Sequence, residues 1–298
     1  MKIAIKKKLR LPLVIAAGVV LIIGILGFVF FIRAPVLVVT DPSFAAIYGE
    51  NRLRRQILRS SLSLFRRVLP VKVVDGASDD IIIFAINETS SRPFCVIFPL
   101  RFVNAARLFG LQRPEVPAII LEGRNVVDID YLVPRGEFFR FRTDTEADFY
   151  AAGRLAAILK GEEGGKTAVF LNHHFRNNER QVFREALMDN GGTADVQFLS
   201  SLDEVSSFSA ISCAVIAGAG VEMFGRRVTF PVIFFTWLNP EMTPSAVVVI
   251  FNDSPWAQTV PAVRMAASGI KDGEIASKVL ILSSRIADNG VLRQLRNR

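Results

Sequence analysis

Short runs of unbroken apolar residues alternate along this chain with segments of helical period, and that alternation restricts the fold more than any other feature. The runs of the first half are "VLVVT" at 36–40, "VKVV" at 71–74, "DIIIFAI" at 80–86, "FCVIF" at 94–98 and "AIILEG" at 118–123. Those of the second half are "TAVFL" at 167–171, "VQFL" at 196–199, "CAVIAG" at 213–218, "PVIFFTW" at 231–237, "AVVVIFND" at 246–253 and "KVLILSS" at 278–284. A strand that is apolar at nearly every position must be covered on both faces, so these read as strands of parallel sheets packed between helices.

Helices are expected between them. Leu58, Leu62, Phe65 and Leu69 recur at spacings of four, three and four before Pro70 closes the element. Further helices are read at 101–110, 144–161, about 176–190 and around 256–268. The segment 144–161 is the best marked: Asp144, Glu146 and Asp148 near its start and Lys160 at its end complement the helix dipole, and Phe149, Ala152, Ala156 and Leu159 share one face. Gly153 within it costs helix propensity, which a close packing contact would explain. The series divides into a first α/β lobe at 36–143 and a second at 144–245, with 246–298 crossing back to the first lobe and ending the chain.

From Leu11 to Ile32 the sequence carries no charged residue, and at about 1.5 Å per helical residue that length can cross a hydrocarbon core of about 30 Å. A cleaved signal peptide would end at small residues, whereas this run ends Phe30-Phe31-Ile32-Arg33. The segment is therefore expected to be an uncleaved single-pass signal anchor. The basic tail 1–10, with Lys2, Lys6, Lys7, Lys8 and Arg10, lies before it and Arg33 alone directly after it. That asymmetry favours an N-terminus in the cytoplasm and a main domain outside it, at the cytoplasmic (inner) membrane, with Arg52, Arg54 and Arg55 arguing for the inverted arrangement as the alternative.

The formal net charge of +8 invites a nucleic-acid reading, so its distribution matters. Beyond the tail, the positive charge gathers in Arg52, Arg54, Arg55, Arg59, Arg66 and Arg67 and again in Arg285, Arg293, Arg296 and Arg298. No zinc-finger spacing, RNP-like aromatic motif or helix-turn-helix pattern accompanies them, and basic helices without such motifs are commoner as solvated or membrane-facing surfaces. No nucleic-acid partner is expected. The two cysteines, Cys95 and Cys213, sit in separate apolar runs and read as buried free thiols, although sequence leaves a disulfide open.

Ligands of open α/β sheets collect outside the carboxyl ends of strands, which directs attention to the residues that follow each run. Asp41 and Ser43 follow the first, where they can meet a ligand hydroxyl or serve equally as turn and N-cap chemistry. Phe44, Tyr48, Trp237 and Trp256 lie at or just past strand ends and can stack on a planar or sugar ligand. Glu122, Arg124 and Asp253 are the charges most naturally aimed at a cleft, with capped or surface charge as the alternative for each. His173 and His174 are neighbours on an extended segment and point to opposite sides, so His173 is read as a ligand contact and no metal site is expected. No Walker sequence, nucleophile elbow or dinucleotide fingerprint follows any run, so neither enzyme activity nor a cofactor is expected.

"VVTDPSF", "DFYAAGRLAA", "TAVFLNHHF" and "VVVIFNDSPW", taken with the order of elements over roughly 36 to 270, carry a resemblance to a known family. The chain resembles the type I periplasmic solute-binding protein fold, and within it the basic membrane protein family of purine-nucleoside-binding lipoproteins. The resemblance implies an extracytoplasmic protein that binds a nucleoside- or sugar-like solute between two lobes and delivers it to the permease of an ABC transporter. The chain departs from the family in two places. A transmembrane anchor replaces the lipidated cysteine, and Ala45 and Ala46 stand where the family has amides that begin its ligand site. The second departure motivates an alternative, in which the domain has lost its ligand and serves as a structural or interaction subunit of an envelope complex.

Overall fold

A computed structural model describes residues 18–22, 24–124, 133–134, 136–160, 165–171, 177–192, 195–205, 207–218, 220–225 and 228–285. The first lobe begins with β1 (Val36–Thr40), α1 (Pro42–Tyr48), α2 (Glu50–Leu64) and β2 (Val68–Lys72). It continues through α3 (Asp79–Thr89), β3 (Cys95–Pro99), α4 (Val103–Gln112), β4 (Ala118–Gly123) and β5 (Phe139–Thr143). The second lobe holds α5 (Thr145–Lys160), β6 (Lys166–Leu171), α6 (Asn177–Asp189), β7 (Val196–Leu199), β8 (Ile211–Ala217), β9 (Val232–Phe235) and β10 (Val247–Asn252). The chain then returns to the first lobe as α7 (Pro255–Ala267) and β11 (Asp272–Ile275), and ends its strands in the second as β12 (Lys278–Ile281).

Two six-stranded sheets result, ordered β11-β5-β4-β3-β1-β2 and β12-β10-β9-β8-β6-β7. The first is parallel throughout. The second is parallel except for β12, which runs antiparallel to β10. The chain crosses between lobes at Asp144, at Asp253-Ser254 and at Ala276-Ser277. Because β10 stays in the second sheet, the return to the first lobe begins at Asp253 and not at residue 246.

Each sheet buries both faces, as the apolar runs require. Ile82 and Ile86 of α3 and Ala105 and Phe109 of α4 cover one face of the first sheet, while Tyr48, Leu53, Trp256 and Val263 cover the other. Phe149 and Ala152 of α5 pack with Phe183 and Leu187 of α6 on the second sheet. Each of the larger aliphatic and phenylalanine side chains among them contributes about 1.5–3 kcal/mol by leaving water. A methyl group on Gly153 would sit 2.5 Å from the Phe183 carbonyl oxygen, so the expected close contact is the crossing of α5 and α6.

Two local expectations are corrected. Residues 80–86 are helical, within α3: Ser78 stands at its N-cap, Asp79 and Asp80 fill its first turn, and Ile81 and Phe84 face outward while Ile82, Ile83 and Ile86 are buried. The helix drawn through Leu58, Leu62, Phe65 and Leu69 ends at Leu64, where Phe65 adopts the left-handed conformation with φ 49°. Leu58 and Leu62 are exposed, and the buried stripe is Leu53, Gln56, Ser60 and Ser61. Leu69 and Pro70 belong to β2, an edge strand, where the missing N–H of proline is tolerated.

Of the proposed anchor, residues 18–22 and 24–32 are helical, and the rest of Leu11–Ile32 lies outside the described residues. Among the described residues no helix is long and apolar enough to cross a membrane. The helix meets the domain where Phe30 packs edge-on against Phe65, with ring centroids 5.8 Å apart.

Cys95 in β3 and Cys213 in β8 are buried in different sheets and share no disulfide. Burial pushes the Cys95 thiol up to about 12, so thiolate is scarce at neutral pH. With Ellman's reagent the folded protein is expected to show no fast-reacting thiol, and both cysteines should react once guanidinium chloride unfolds it. A fast thiol in the native protein would contradict the burial of the two cysteines.

Candidate functional site

The carboxyl ends of β1, β4, β9 and β10 converge on a cleft between the lobes with a volume of about 480 Å³. Sites for small molecules commonly span about 300–1,000 Å³. Phe44, Glu122, Arg124, Trp237, Asp253 and Trp256 all line it, brought together from three strand ends and two helix starts. The parallel arrangement makes this convergence inevitable, since every strand of a lobe that feeds the cleft delivers its last residue to the same side.

Arg124 is the centre of the site. Its Nη2 donates to Asp148 Oδ2 at 3.1 Å, to Ser277 Oγ at 2.6 Å and to the Phe251 carbonyl at 3.4 Å. Its Nη1 meets Asp253 Oδ1 at 3.2 Å, and the guanidinium lies over the Phe235 ring, 4.7 Å from the centroid. Asp148 is 1% exposed, and its two oxygens also accept from the Ser277 backbone N–H and hydroxyl. Burial pushes the Asp148 carboxyl up from its ordinary value, with Arg124 as the main influence against it.

The remaining charges are paired. Glu122 accepts from Arg140 Nε at 2.8 Å. Among the described residues Asp253 Oδ2 receives a long contact, 3.5 Å, from the Thr143 hydroxyl, which leaves it an available acceptor in the cleft. Asp41 is corrected from ligand contact to scaffold: one oxygen takes the Phe44 N–H at 2.7 Å and the Ser43 hydroxyl at 2.6 Å, capping α1, and the other pairs with Arg101. Ser43 is corrected with it, since its hydroxyl is spent on Asp41 and it lies outside the cleft lining.

Aromatic rings form the other half of the site. Phe44 stacks on Tyr48 at 5.1 Å and meets Trp237 from the opposite lobe at 4.7 Å between centroids. Trp237 is 36% exposed and presents ring surface, whereas Trp256 at 1% belongs to the core beneath the cleft floor and offers no free face. Ala45 packs against the first-lobe core, and neither it nor Ala46 lines the cleft, so the missing amides leave the cleft's polar groups intact. His173, with His174, lies outside the described residues. Among the described residues no three metal-ligating side chains converge.

Three polar atoms of cleft-lining residues have no protein partner among the described residues: Thr40 Oγ1, Gln258 Oε1 and Arg124 Nε. Buried donors and acceptors are normally satisfied, so orphans gathered in one cleft are groups that a ligand or water can meet. Sequence reasoning missed Thr40, Arg101, Asp148, Gln258 and Ser277. Asp148 had a legible signal: it lies four residues before Ala152 and so shares the buried side of α5, where a carboxylate requires a cationic partner.

Removing one member of a buried ion pair costs about 3–5 kcal/mol, because the other is left uncompensated. Arg124→Met is therefore expected to destabilise the protein by about 3 kcal/mol or more at pH 7. Loss of Arg124 raises the Asp148 pKa further; a carboxyl raised in the fold contributes stability below its unfolded pKa and loses it as pH rises through the folded pKa. The deficit should thus be smaller at pH 5 than at pH 7 in guanidinium chloride titrations, and equal deficits would show that Asp148 does not depend on Arg124.

No family model matches the chain, and no curated protein does. Solved structures share its fold. A transcriptional activator of the comK gene from Bacillus halodurans is similar over 89% of this chain and 95% of its own, with 14% identity and a TM-score of 0.54. A LacI transcriptional regulator from a Rhodococcus species covers 83% and 96%, with 15% identity and a TM-score of 0.50. An ABC transporter periplasmic solute-binding protein from Actinobacillus succinogenes, with bound D-allose, covers 85% and 99% at 12% identity and a TM-score of 0.49. At these identities the likeness to the comK activator and the LacI regulator is one of fold alone.

Proposed function

We propose that this protein is a membrane-anchored, extracytoplasmic solute-binding protein whose interlobe cleft closes on a small uncharged polyhydroxylated solute, a nucleoside or a sugar, for ABC-type transport or sensing. The observation that carries the reading is the pairing, in one cleft, of the exposed Trp237 ring, seated on Phe44, with Thr40 Oγ1 and Gln258 Oε1, unpartnered among the described residues, and the lightly bonded Asp253 Oδ2. Rings stack on a base or a sugar face, and hydroxyls satisfy the orphaned atoms. The cleft charges are largely neutralised internally, with Arg101 and Arg124 each held by a carboxylate and Glu122 held by Arg140, which suits an uncharged ligand. Nothing in this set assembles a nucleophile with a base, so the reading is binding and not catalysis.

Thermal melting of the full chain in detergent, against a panel of nucleosides and monosaccharides, tests the solute. A saturating ligand at about a hundred times its Kd adds about 2.7 kcal/mol of stability. At least one compound should raise the melting temperature saturably, and Trp237→Ala should abolish that rise while Asp253→Asn weakens binding roughly tenfold. No shift across the panel would favour the ligand-free interaction subunit.

The topology has its own test. A reporter that is active only in the cytoplasm, fused after Arg298, is expected to be silent. Activity there would put the domain inside the cell and sink the anchored, outward orientation.

A further inference from the structure

A second cavity, of about 320 Å³, opens between the lobes and shares no lining residue with the first. One wall is α2, which presents Arg52, Arg55, Gln56 and Arg59, spaced as one helical face. The facing wall comes from the second lobe, with Asn239, Glu241 and Lys278. Four cations therefore surround a space that holds one carboxylate, and none of the four makes an ion pair among the described residues. This contrasts with the first cleft, where every guanidinium has its acid.

The cations are held in place by neutral groups. Arg52 lies 4.2 Å from the Tyr48 ring centroid, and its Nη1 donates across the lobes to the carbonyls of Trp237 at 3.2 Å and Leu238 at 2.7 Å. Its Nη2 is buried and has no partner among the described residues. Lys278 Nζ reaches Gln56 Oε1 at 3.3 Å. Burial lowers the pKa of both groups, and for Lys278 the nearness of Arg59 and Arg52 lowers it further. Four like charges that converge on a single acid raise the energy of the fold, and an anion in the cavity would relieve that repulsion.

We propose that this cavity is a binding site for a small phosphate-bearing anion, whose phosphoryl oxygens are held by Arg52, Arg59 and Lys278. Guanidinium forks together with an ammonium suit the several acceptor oxygens of a phosphoryl group, and the volume admits a group larger than inorganic phosphate. The source is a free phosphate and not a lipid headgroup. The cavity takes the first turns of α2, beside the second lobe, whereas the N-terminal helix meets Phe65 just past the opposite end of α2. Since its walls belong to different lobes, the bound anion would also hold the lobes together.

Calorimetric titration of the full chain in neutral detergent with pyrophosphate tests the site. The wild type should bind saturably at one site, and Arg59→Gln and Lys278→Gln should each weaken binding roughly tenfold. Arg54→Gln removes the same charge from α2 outside the cavity, where Arg54 pairs with exposed Glu50, and should change affinity less than twofold. Thermal melting of each variant confirms that it folds. Absence of saturable binding, an equal loss in Arg54→Gln, or binding of short-chain phosphatidylglycerol without binding of pyrophosphate would each overturn the proposal.

Discussion

The guanidinium of Arg124 joins the three places where the chain passes between lobes. Asp148 lies in the first turn after the first crossing, Asp253 is the second crossing, and Ser277 belongs to the third. One planar cation with several donors can satisfy three such partners at once, which an ammonium on a flexible stem does less well. Gln258 extends the same junction by donating to the Thr143 hydroxyl at 3.0 Å. The relative position of the lobes, and with it the shape of the cleft, depends on this cluster. Its cost is the burial of charge, and the raised pKa of Asp148 records how little the site favours an unpaired carboxylate.

The two interlobe cavities follow opposite electrostatic rules. In the cleft, cations and carboxylates neutralise one another, so what remains for a ligand is ring surface and unpartnered polar atoms. In the second cavity, neutral carbonyls, an amide and a phenol ring position the cations while their charge stays uncompensated. Arg52 connects the two regions: it donates to the carbonyl of Trp237, whose ring meets Phe44 at the cleft. Occupancy of one site would therefore bear on the geometry of the other through a single side chain and the peptide it holds.

Most strands were legible because burial on both faces leaves an unbroken apolar run, and "AIILEG" is β4 from its first residue to its last, whereas β5 (FRFRT) and β11 (DGEI) carry charged residues and leave no such run. The placement of Glu122, Arg124, Trp237 and Asp253 was legible for a related reason, since parallel strands deliver their carboxyl ends to one side. The bond partners were not. Asp148 and Ser277 lie 24 and 153 residues from Arg124, and no local pattern connects them. Helix α2 misled more instructively. Its inward face carries Gln56, whose amide donates to the Trp256 carbonyl, and Ser61, whose hydroxyl accepts the Val68 N–H, while Leu58 and Leu62 face out. Hydrophobic period finds an apolar stripe, but it cannot tell which stripe is buried when the inner face is built for hydrogen bonds.

The handover from the N-terminal helix to the domain sets a distance. Only Arg33, Ala34 and Pro35 separate the helix from β1, whose last residue, Thr40, lines the cleft. A five-residue strand rises about 17 Å, so the cleft lies roughly one strand length from the end of the helix. The joint is also braced: Phe30 packs on Phe65, Arg33 lies over the same ring, and Arg66 donates to the Ala34 carbonyl. On the proposed topology the first lobe is thus held at a fixed short height, while the second hangs from it through three crossings gathered on Arg124. Closure would then move the second lobe against a stationary first lobe, an arrangement that suits one dedicated membrane partner better than a tether with free reach.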